Sequence, residues 1–165
     1  MNAKRVLRHL TVPRWWALRV FPKADREAIG EAVAASETRH RGELRFAIEG
    51  PLPLRHLWRD ASARQRAEEL FVKLGVSATA EQSGILIYVQ LVDRRVEILA
   101  DRGIAARVPQ ARWDAICRDM ETAFAAGRWY DGAIAAVVSA SALLAEHFPA
   151  GARNPNELPD EPAVL

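Results

Sequence analysis

Residues 83–104, SGILIYVQLVDRRVEILADRGI, decide the fold because two apolar strands flank a tight charged turn. The run GILIYVQL (84–91) is continuously apolar, which is typical of a central strand covered on both faces. The turn VDRR (92–95) reverses the chain, and RVEILA (95–100) returns antiparallel. The hairpin ends in Asp101, which is either a turn residue or a functional group at a sheet edge.

The segments around the hairpin complete an α/β pattern. ELRFAIEG (43–50) alternates apolar and polar residues, which predicts a half-buried strand. Helical patterns precede this strand, separate it from the hairpin and follow the hairpin twice. Because a helical crossover joins the first two strands, we predict that they are parallel neighbours. The predicted fold is a three-layer α/β/α sandwich whose mixed sheet has two parallel strands and an antiparallel hairpin strand.

The charge distribution predicts three segments within one domain-sized chain. Among its 165 residues, the first 23 contain six basic residues and no acidic residue, whereas the remainder is net acidic. We therefore predict a basic, Trp-rich arm (1–24), an α/β domain (25–149) and a flexible tail (150–165). The tail, rich in Pro, Asn and Gly, offers little to pack.

Composition also sets expectations for location and partners. The net charge of +2 is too small to argue for a nucleic-acid partner. The chain has no apolar run of bilayer length, and Arg14 and Arg19 interrupt any signal-peptide core. A single cysteine, Cys117, fits a reducing compartment. We expect a soluble cytoplasmic protein.

The arm segment VPRWWALRVFP (12–22) has two interpretations. Trp15, Trp16, Arg14 and Arg19 together suit the headgroup boundary of a membrane, so the segment could make peripheral membrane contact or bind a partner. Alternatively, it packs over the sheet with its arginines in water. The second interpretation is the commoner behaviour of such a segment.

Several acidic residues are expected at one edge of the sheet. If the first two strands are parallel, Glu43 and Ser83 mark the same edge, and the antiparallel third strand brings Asp101 there. Glu37 and Glu81 lie close to these positions in sequence. Converging carboxylates suit Ca²⁺ or Mg²⁺ rather than zinc. The candidate metal ligands are therefore Asp101, Glu43, Glu81 and Glu37, while Asp93 lies at the opposite edge.

A structural interpretation competes with this metal site. Asp101 can cap the turn before Gly103, and Glu43 can pair with Arg45 or Arg102. Other catalytic signals are weak, since the sequence contains no Gly-rich phosphate loop and no nucleophile elbow. His40 lies near the acidic residues and could serve as an acid or base, although a helix-terminal role is more common.

Four pieces together resemble the TPM domain family, named after thylakoid-lumen, photosystem II repair and ion-channel auxiliary proteins. They are AASETRHRGELRFAIEG (34–50), AEELFVKLGVSATAEQSGILIYVQLVDRRVEILADRGI (67–104), WDAICRDMETAFAAGRWYDGAIAAV (113–137) and FPAGARNPNELPDEP (148–162). The chain is similar to the small soluble bacterial branch, without the signal peptide and anchor of better-known members. The resemblance implies an α/β/α sandwich, an acidic divalent-cation site and weak acid-phosphatase activity. Asp101 and Glu43 match the acidic positions best; Glu37, Glu81 and Asp131 match less well.

Three functions follow as expectations. The first is an accessory interaction domain with a divalent cation on its acidic sheet edge. The second is a weak metal-dependent acid phosphatase with no assigned catalytic residue. The third is a peripheral membrane adaptor.

Overall fold

The computed structural model describes residues 2–151 and 156–165. The helices are α1 (Ala3–Thr11), α2 (Trp16–Val20), α3 (Lys23–Glu37), α4 (Leu54–Trp58), α5 (Ala63–Lys73), α6 (Arg102–Ala105), α7 (Gln110–Ala125) and α8 (Trp129–His147). The strands are β1 (Leu44–Glu49), β2 (Ile85–Gln90), β3 (Arg95–Ala100) and β4 (Ala163–Val164). Among these residues, no helix combines the length and the apolar character that a bilayer crossing requires.

One mixed sheet organises the chain in the order β3-β2-β1-β4. β1 runs parallel to β2, with Leu44 opposite Ile85, and β2 runs antiparallel to β3, with Ile85 opposite Ala100. Both relationships were predicted from the helical crossover and the tight hairpin turn. The α/β class with a mixed sheet is therefore confirmed.

Alternate residues of the central strands face two separate cores. Ile85, Ile87 and Val89 belong to the larger core, which includes residues of α3, α7 and α8. Leu86 and Tyr88 belong to the smaller core, formed with α5. This alternation is the two-residue period of a strand with helices on both faces.

The strand β1 differs from the half-buried strand that its sequence predicted. All six residues are buried, including Arg45 and Glu49. The Arg45 guanidinium donates to the main-chain carbonyls of Pro159 and Glu161, and the Glu49 carboxylate accepts from Arg66. The alternating polar residues therefore face paired groups rather than solvent.

The C-terminal segment packs on the domain where a flexible tail was expected. β4 is parallel to β1, with Ala163 opposite Ala47, and Leu158 is buried in the smaller core. Residues 152–155 of the predicted tail lie outside the described residues. Without β4, β1 would have an unpaired edge. The C-terminal segment pairs with that edge, although its composition does not predict a strand.

The helices α3 and α8 each carry an aspartate in the first turn. α3 begins at Lys23 after Pro22, and α8 begins at Trp129, so Asp25 and Asp131 occupy first turns instead of cap positions. Carboxylates in a first turn still interact favourably with the helix dipole. By contrast, Ser62 caps α5 in a complete capping box with Gln65.

Candidate functional site

The sheet brings Glu43 and Asp101 to one edge, as the strand directions predicted. The Ile85 N–H donates to the Glu43 carbonyl over 2.8 Å, and the Asp101 N–H donates to the Gly84 carbonyl over 2.8 Å. Glu43 and Asp101 therefore flank the start of β2 on its two sides. The turn that contains Asp93 lies at the other end of β2.

Asp101 is the N-cap of the short helix α6. Its Oδ1 accepts from the Arg102 N–H over 2.7 Å, whereas its buried Oδ2 has no hydrogen-bond partner among the described residues. The Gly103 N–H donates to the Gln82 carbonyl over 2.8 Å, and a Cβ at Gly103 would lie 2.6 Å from the Glu81 carbonyl oxygen. The Asp-Arg-Gly sequence is thus a tight cap that leaves one carboxylate oxygen unsatisfied.

Glu37 and Glu43 form a buried acidic pair beneath the C-terminal segment. Glu43 is 1% exposed, and its Oε2 accepts from the Leu158 N–H over 3.1 Å. Burial raises the pKa of Glu43. Burial, together with the charges of Glu43 and Asp160, raises the pKa of Glu37 to about 8. Glu37 is therefore largely protonated at neutral pH.

Glu81 lies in a different environment from this pair. It is exposed, and its Oε1 lies 3.3 Å from Arg41 Nε, so its charge is already partly compensated. In the described ranges, no three His, Cys, Asp or Glu side chains are grouped as metal ligands. Ca²⁺ takes at least six oxygens and Mg²⁺ six in a strict geometry. In this arrangement, the described side chains of Asp101, Glu43, Glu81 and Glu37 do not form a complete coordination shell.

A second side-chain oxygen near Asp101 also lacks a partner. Thr79 Oγ1 is buried and has no hydrogen-bond partner among the described residues. A Cβ at Gly84 would lie 3.3 Å from Thr79 Cγ2, and the Gly84 carbonyl accepts from Asp101. Thr79 and Asp101 therefore both lie beside Gly84.

His40 and Cys117 occupy packed surroundings. His40 Nδ1 lies 2.9 Å from the Gly42 carbonyl oxygen and Nε2 lies 3.2 Å from Ser36 Oγ, and burial lowers the pKa of the ring. Burial raises the pKa of the Cys117 thiol to about 12. The His40 ring therefore connects the end of α3 with the loop before β1, and the Cys117 thiol stays protonated.

A buried ionic network was missed by the sequence reasoning. Arg66 donates to the Glu49 carboxylate over 2.7 Å, and the Tyr88 hydroxyl donates to Glu49 Oε2 over 2.6 Å. Glu69 extends the network, because its Oε2 lies 3.0 Å from Arg66 Nη1 and 2.6 Å from His56 Nε2. Only the spacing of Arg66 and Glu69 on one helix face was readable in the sequence.

A second ionic cluster connects the N-terminal arm to the opposite sheet edge. Arg5 Nη2 and Arg8 Nη2 each lie 2.8 Å from Asp93 carboxylate oxygens, and His9 Nε2 lies 3.1 Å from Asp93 Oδ1. His9 Nδ1 accepts from the Leu52 N–H over 3.0 Å, so its ring proton is on Nε2 and faces Asp93. The arm is therefore packed on the domain by polar contacts.

The outward face of this region is apolar and basic. Of the ten large apolar side chains that are exposed among the described residues, six lie in segments 2–20 and 51–59. These six form what we call the apolar arm surface: Leu7, Leu10, Trp15, Leu18, Leu54 and Trp58. The exposed basic residues of the same segments are Lys4, Arg8, Arg14, Arg19, Arg55 and Arg59. Trp16 is half-buried and packs against the larger core.

Comparisons with known proteins agree with this architecture. The NMR structure of the BA42 protein from the psychrophilic bacterium Bizionia argentinensis has a TM-score of 0.74 and 27% identity, covering 85% of this chain and 92% of that one. The N-terminal domain of a P. gingivalis protein has the same fold, with a TM-score of 0.60, 21% identity and coverage of 87% and 96%. No curated protein matches the chain. A model of the TPM domain matches residues 18–143, and the chain therefore belongs to the TPM domain family.

Proposed function

We propose that the protein is an accessory domain that acts by binding another molecule through its apolar arm surface. The observation that carries this proposal is the concentration of exposed apolar side chains in segments 2–20 and 51–59. Single exposed apolar residues are normal on any protein, but a grouped set marks an interaction site. Membership of the TPM domain family fits an accessory or interaction role at this coarse level.

The rigidity of the arm supports the same proposal. Arg5 contacts Asp93 and also donates to the Ala61 carbonyl over 2.7 Å, so α1 is attached both to the β2–β3 turn and to the segment after α4. A surface that is ordered before binding loses less conformational freedom on association. The arrangement of the apolar arm surface therefore favours recognition of a partner.

Site-specific photo-crosslinking in the native cells tests this function. Benzoylphenylalanine replaces Leu10 or Trp58 on the apolar arm surface, and as matched controls Val72 on α5 or Val138 on α8. All four positions are exposed, so the substitutions should leave the fold intact. Adducts that form at Leu10 and Trp58 but not at the two valines are expected. No adduct, or equal adducts at all four positions, would contradict the proposal.

A second candidate function is binding of a divalent cation at the acidic edge. It is favoured by Asp101 Oδ2 and Thr79 Oγ1, two buried oxygens beside Gly84 that have no hydrogen-bond partner among the described residues. Hard cations prefer carboxylate, hydroxyl and carbonyl oxygens. A bound cation would neutralise charge on an anionic ligand such as a phosphate ester, and Asp101 and Thr79 would be among the residues that hold it.

Backbone NMR titration with Ca²⁺ and with Mg²⁺ tests the cation site. Saturable shifts confined to residues 79–84 and 101–103 are expected, and Asp101→Asn should abolish them. Asp119→Asn, an exposed change on α7, is the matched control. Absence of saturable shifts at millimolar ion would overturn the site.

A chromogenic phosphate-ester assay on the same variants tests the phosphatase hypothesis, which fails if Asp101→Asn hydrolyses the ester as fast as the wild type.

A further inference from the structure

We propose that the apolar arm surface docks on an anionic lipid bilayer, with α1, α2 and α4 lying against the headgroups. This inference rests on the proposed interaction function and names its partner. It also assigns the outward side chains of α1 and α4 to the contact, beyond the Trp and Arg residues of segment 14–19.

The orientation of α1 is the first observation. Arg5 and His9, four residues apart, face the domain, and their side chains are 16% and 0% exposed. Leu7 and Leu10 lie on the other side of the helix and are 63% and 60% exposed. A surface helix normally buries its apolar face and exposes its charges. Here the polar face is buried against Asp93, which leaves the leucines for contact with something outside the chain.

The short helix α4 repeats the pattern beside α1. Leu54 and Trp58 are one turn apart and are 55% and 73% exposed, while His56 and Leu57 face the domain. On the adjacent segment, Trp15 is 57% exposed. Tryptophan concentrates at membrane–water interfaces because its ring is amphipathic. Two exposed tryptophans among leucines therefore match the composition of an interfacial surface.

α1 and the segment before α2 both approach residues 50–52, which come just before α4 in the chain. The Leu52 N–H, just before α4, donates to His9 of α1 over 3.0 Å. Two residues before α2, the Arg14 carbonyl oxygen lies 3.6 Å from the position of a Cβ on Gly50, the residue after β1. The apolar side chains are thus presented by neighbouring elements of one edge, not by separate parts of the molecule.

The charge of this region identifies the chemistry of the partner. Segments 2–20 and 51–59 contain basic residues but no aspartate or glutamate. Oδ1 of the adjacent Asp60 lies 3.1 Å from Arg5 Nη1, so Arg5 compensates the charge of Asp60. Basic groups near a membrane surface are attracted by anionic lipids, and apolar side chains enter the headgroup boundary. Exposed Arg55 and Arg59 beside Trp58 therefore match an anionic bilayer in both charge and apolar character.

Vesicle flotation with the full chain tests the proposal. One set of vesicles contains phosphatidylcholine with about 30% phosphatidylglycerol, and the other contains phosphatidylcholine alone. Binding to the anionic set at low salt is expected, with a decrease of about tenfold when salt is raised to about 0.5 M. The double variants Leu10→Ser/Trp58→Ser and Arg55→Glu/Arg59→Glu should each weaken binding about tenfold or more.

The control double variant is Val72→Ser/Val138→Ser, which changes two exposed apolar residues elsewhere and should leave binding unchanged. Circular dichroism verifies that every variant is folded. Failure to float with anionic vesicles, or equal flotation with both vesicle types and all variants, overturns the bilayer proposal. If flotation fails while Leu10 and Trp58 still crosslink to a protein-sized partner, the interaction function stands and its partner is a protein. Self-association that the Leu10/Trp58 variant abolishes would instead identify a second copy.

Discussion

Arg5 Nε lies 2.9 Å from Asp93 Oδ2, although 88 residues separate the two in the chain. The contact fixes the N-terminal helix against the turn between β2 and β3, where His9 also meets the same carboxylate. Burial alone would raise the pKa of Asp93, but the close approach of His9 and the hydrogen bonds from Arg5 lower it well below its usual range. The carboxylate thus remains charged and attaches the arm to the domain.

The first prediction concerns this attachment. Asp93→Asn should lower the free energy of unfolding by about 2 kcal/mol, because charge-assisted hydrogen bonds are lost. Urea denaturation at neutral pH measures the change, and exposed Asp119→Asn should stay within about 0.5 kcal/mol of the wild type. Because the folded-state pKa of Asp93 is depressed, its contribution is complete above the unfolded value of 3.8 and is lost as the pH falls further. Equal stability of Asp93→Asn and wild type would contradict the role of the cluster.

The second prediction concerns Glu37, whose pKa is raised from 4.5 to about 8 by burial and by the charges of Glu43 and Asp160. Since the folded state holds this proton more tightly, stability should fall as the pH rises from about 4.5 to about 8. Glu37→Gln removes that ionisation and should be more stable than wild type at pH 8, by an amount of order 2 kcal/mol. Near pH 4 the two should converge.

Urea denaturation across this pH range and a carboxyl-carbon NMR titration of Glu37 measure the effect. The control is Glu31→Gln, an exposed position on the same helix. A titration midpoint for Glu37 below pH 5, or a stability difference that does not change with pH, would show that Glu37 is charged in the folded protein.

The third prediction concerns the glycine that follows the Asp101 cap. A Cβ at Gly103 would lie 2.6 Å from the Glu81 carbonyl oxygen and 2.7 Å from that of Gln82. Because both atoms belong to the backbone, Gly103→Ala should cost about 1–3 kcal/mol of unfolding free energy. Gly50→Ala is the control, since its nearest neighbours would lie 3.6 Å and 3.7 Å away. Thermal and urea denaturation compare the two, and equal stabilities would mean that the loop moves aside freely.

The fourth prediction concerns the C-terminal segment. Leu158→Ala should destabilise the protein by about 2–4 kcal/mol, because Leu158 is 7% exposed and packs in the smaller core. Val164→Ala, at a position 36% exposed on β4, should cost less than 1 kcal/mol by the same measurement. If Leu158→Ala is as stable as Val164→Ala, the segment contributes little to folding.

The strand directions were predictable because they depend on local patterns. An apolar strand, a charged turn and a helical crossover specified that β1 and β2 are parallel and β3 antiparallel. The shared edge of Glu43 and Asp101 followed from those directions. The groups that contact Glu43 and Asp101 could not be predicted in this way. The Leu158 N–H that donates to Glu43, for example, is 115 residues away in the chain.

The placement of two elements could not be predicted from local patterns. β4 has only two residues, and its pairing depends on the open edge of β1 and on the contacts that Arg45 makes with the backbone of the C-terminal segment. In α1, the periodicity of Leu7 and Leu10 suggests burial, yet Asp93 attracts the opposite face. In both cases a partner that is distant in the chain determines where the element packs. A single sequence does not reveal that partner.

The strand order has a consequence for how the protein is made. On the ribosome, β1 can pair with β2 as soon as the hairpin emerges, but its other edge stays open until residues 163–164 have been synthesised. An unpaired strand edge is a template for association with other chains. Nascent chains of this protein are therefore prone to edge-to-edge association between the emergence of β1 and that of residues 163–164, and chaperones that shield β edges should act on them in that interval.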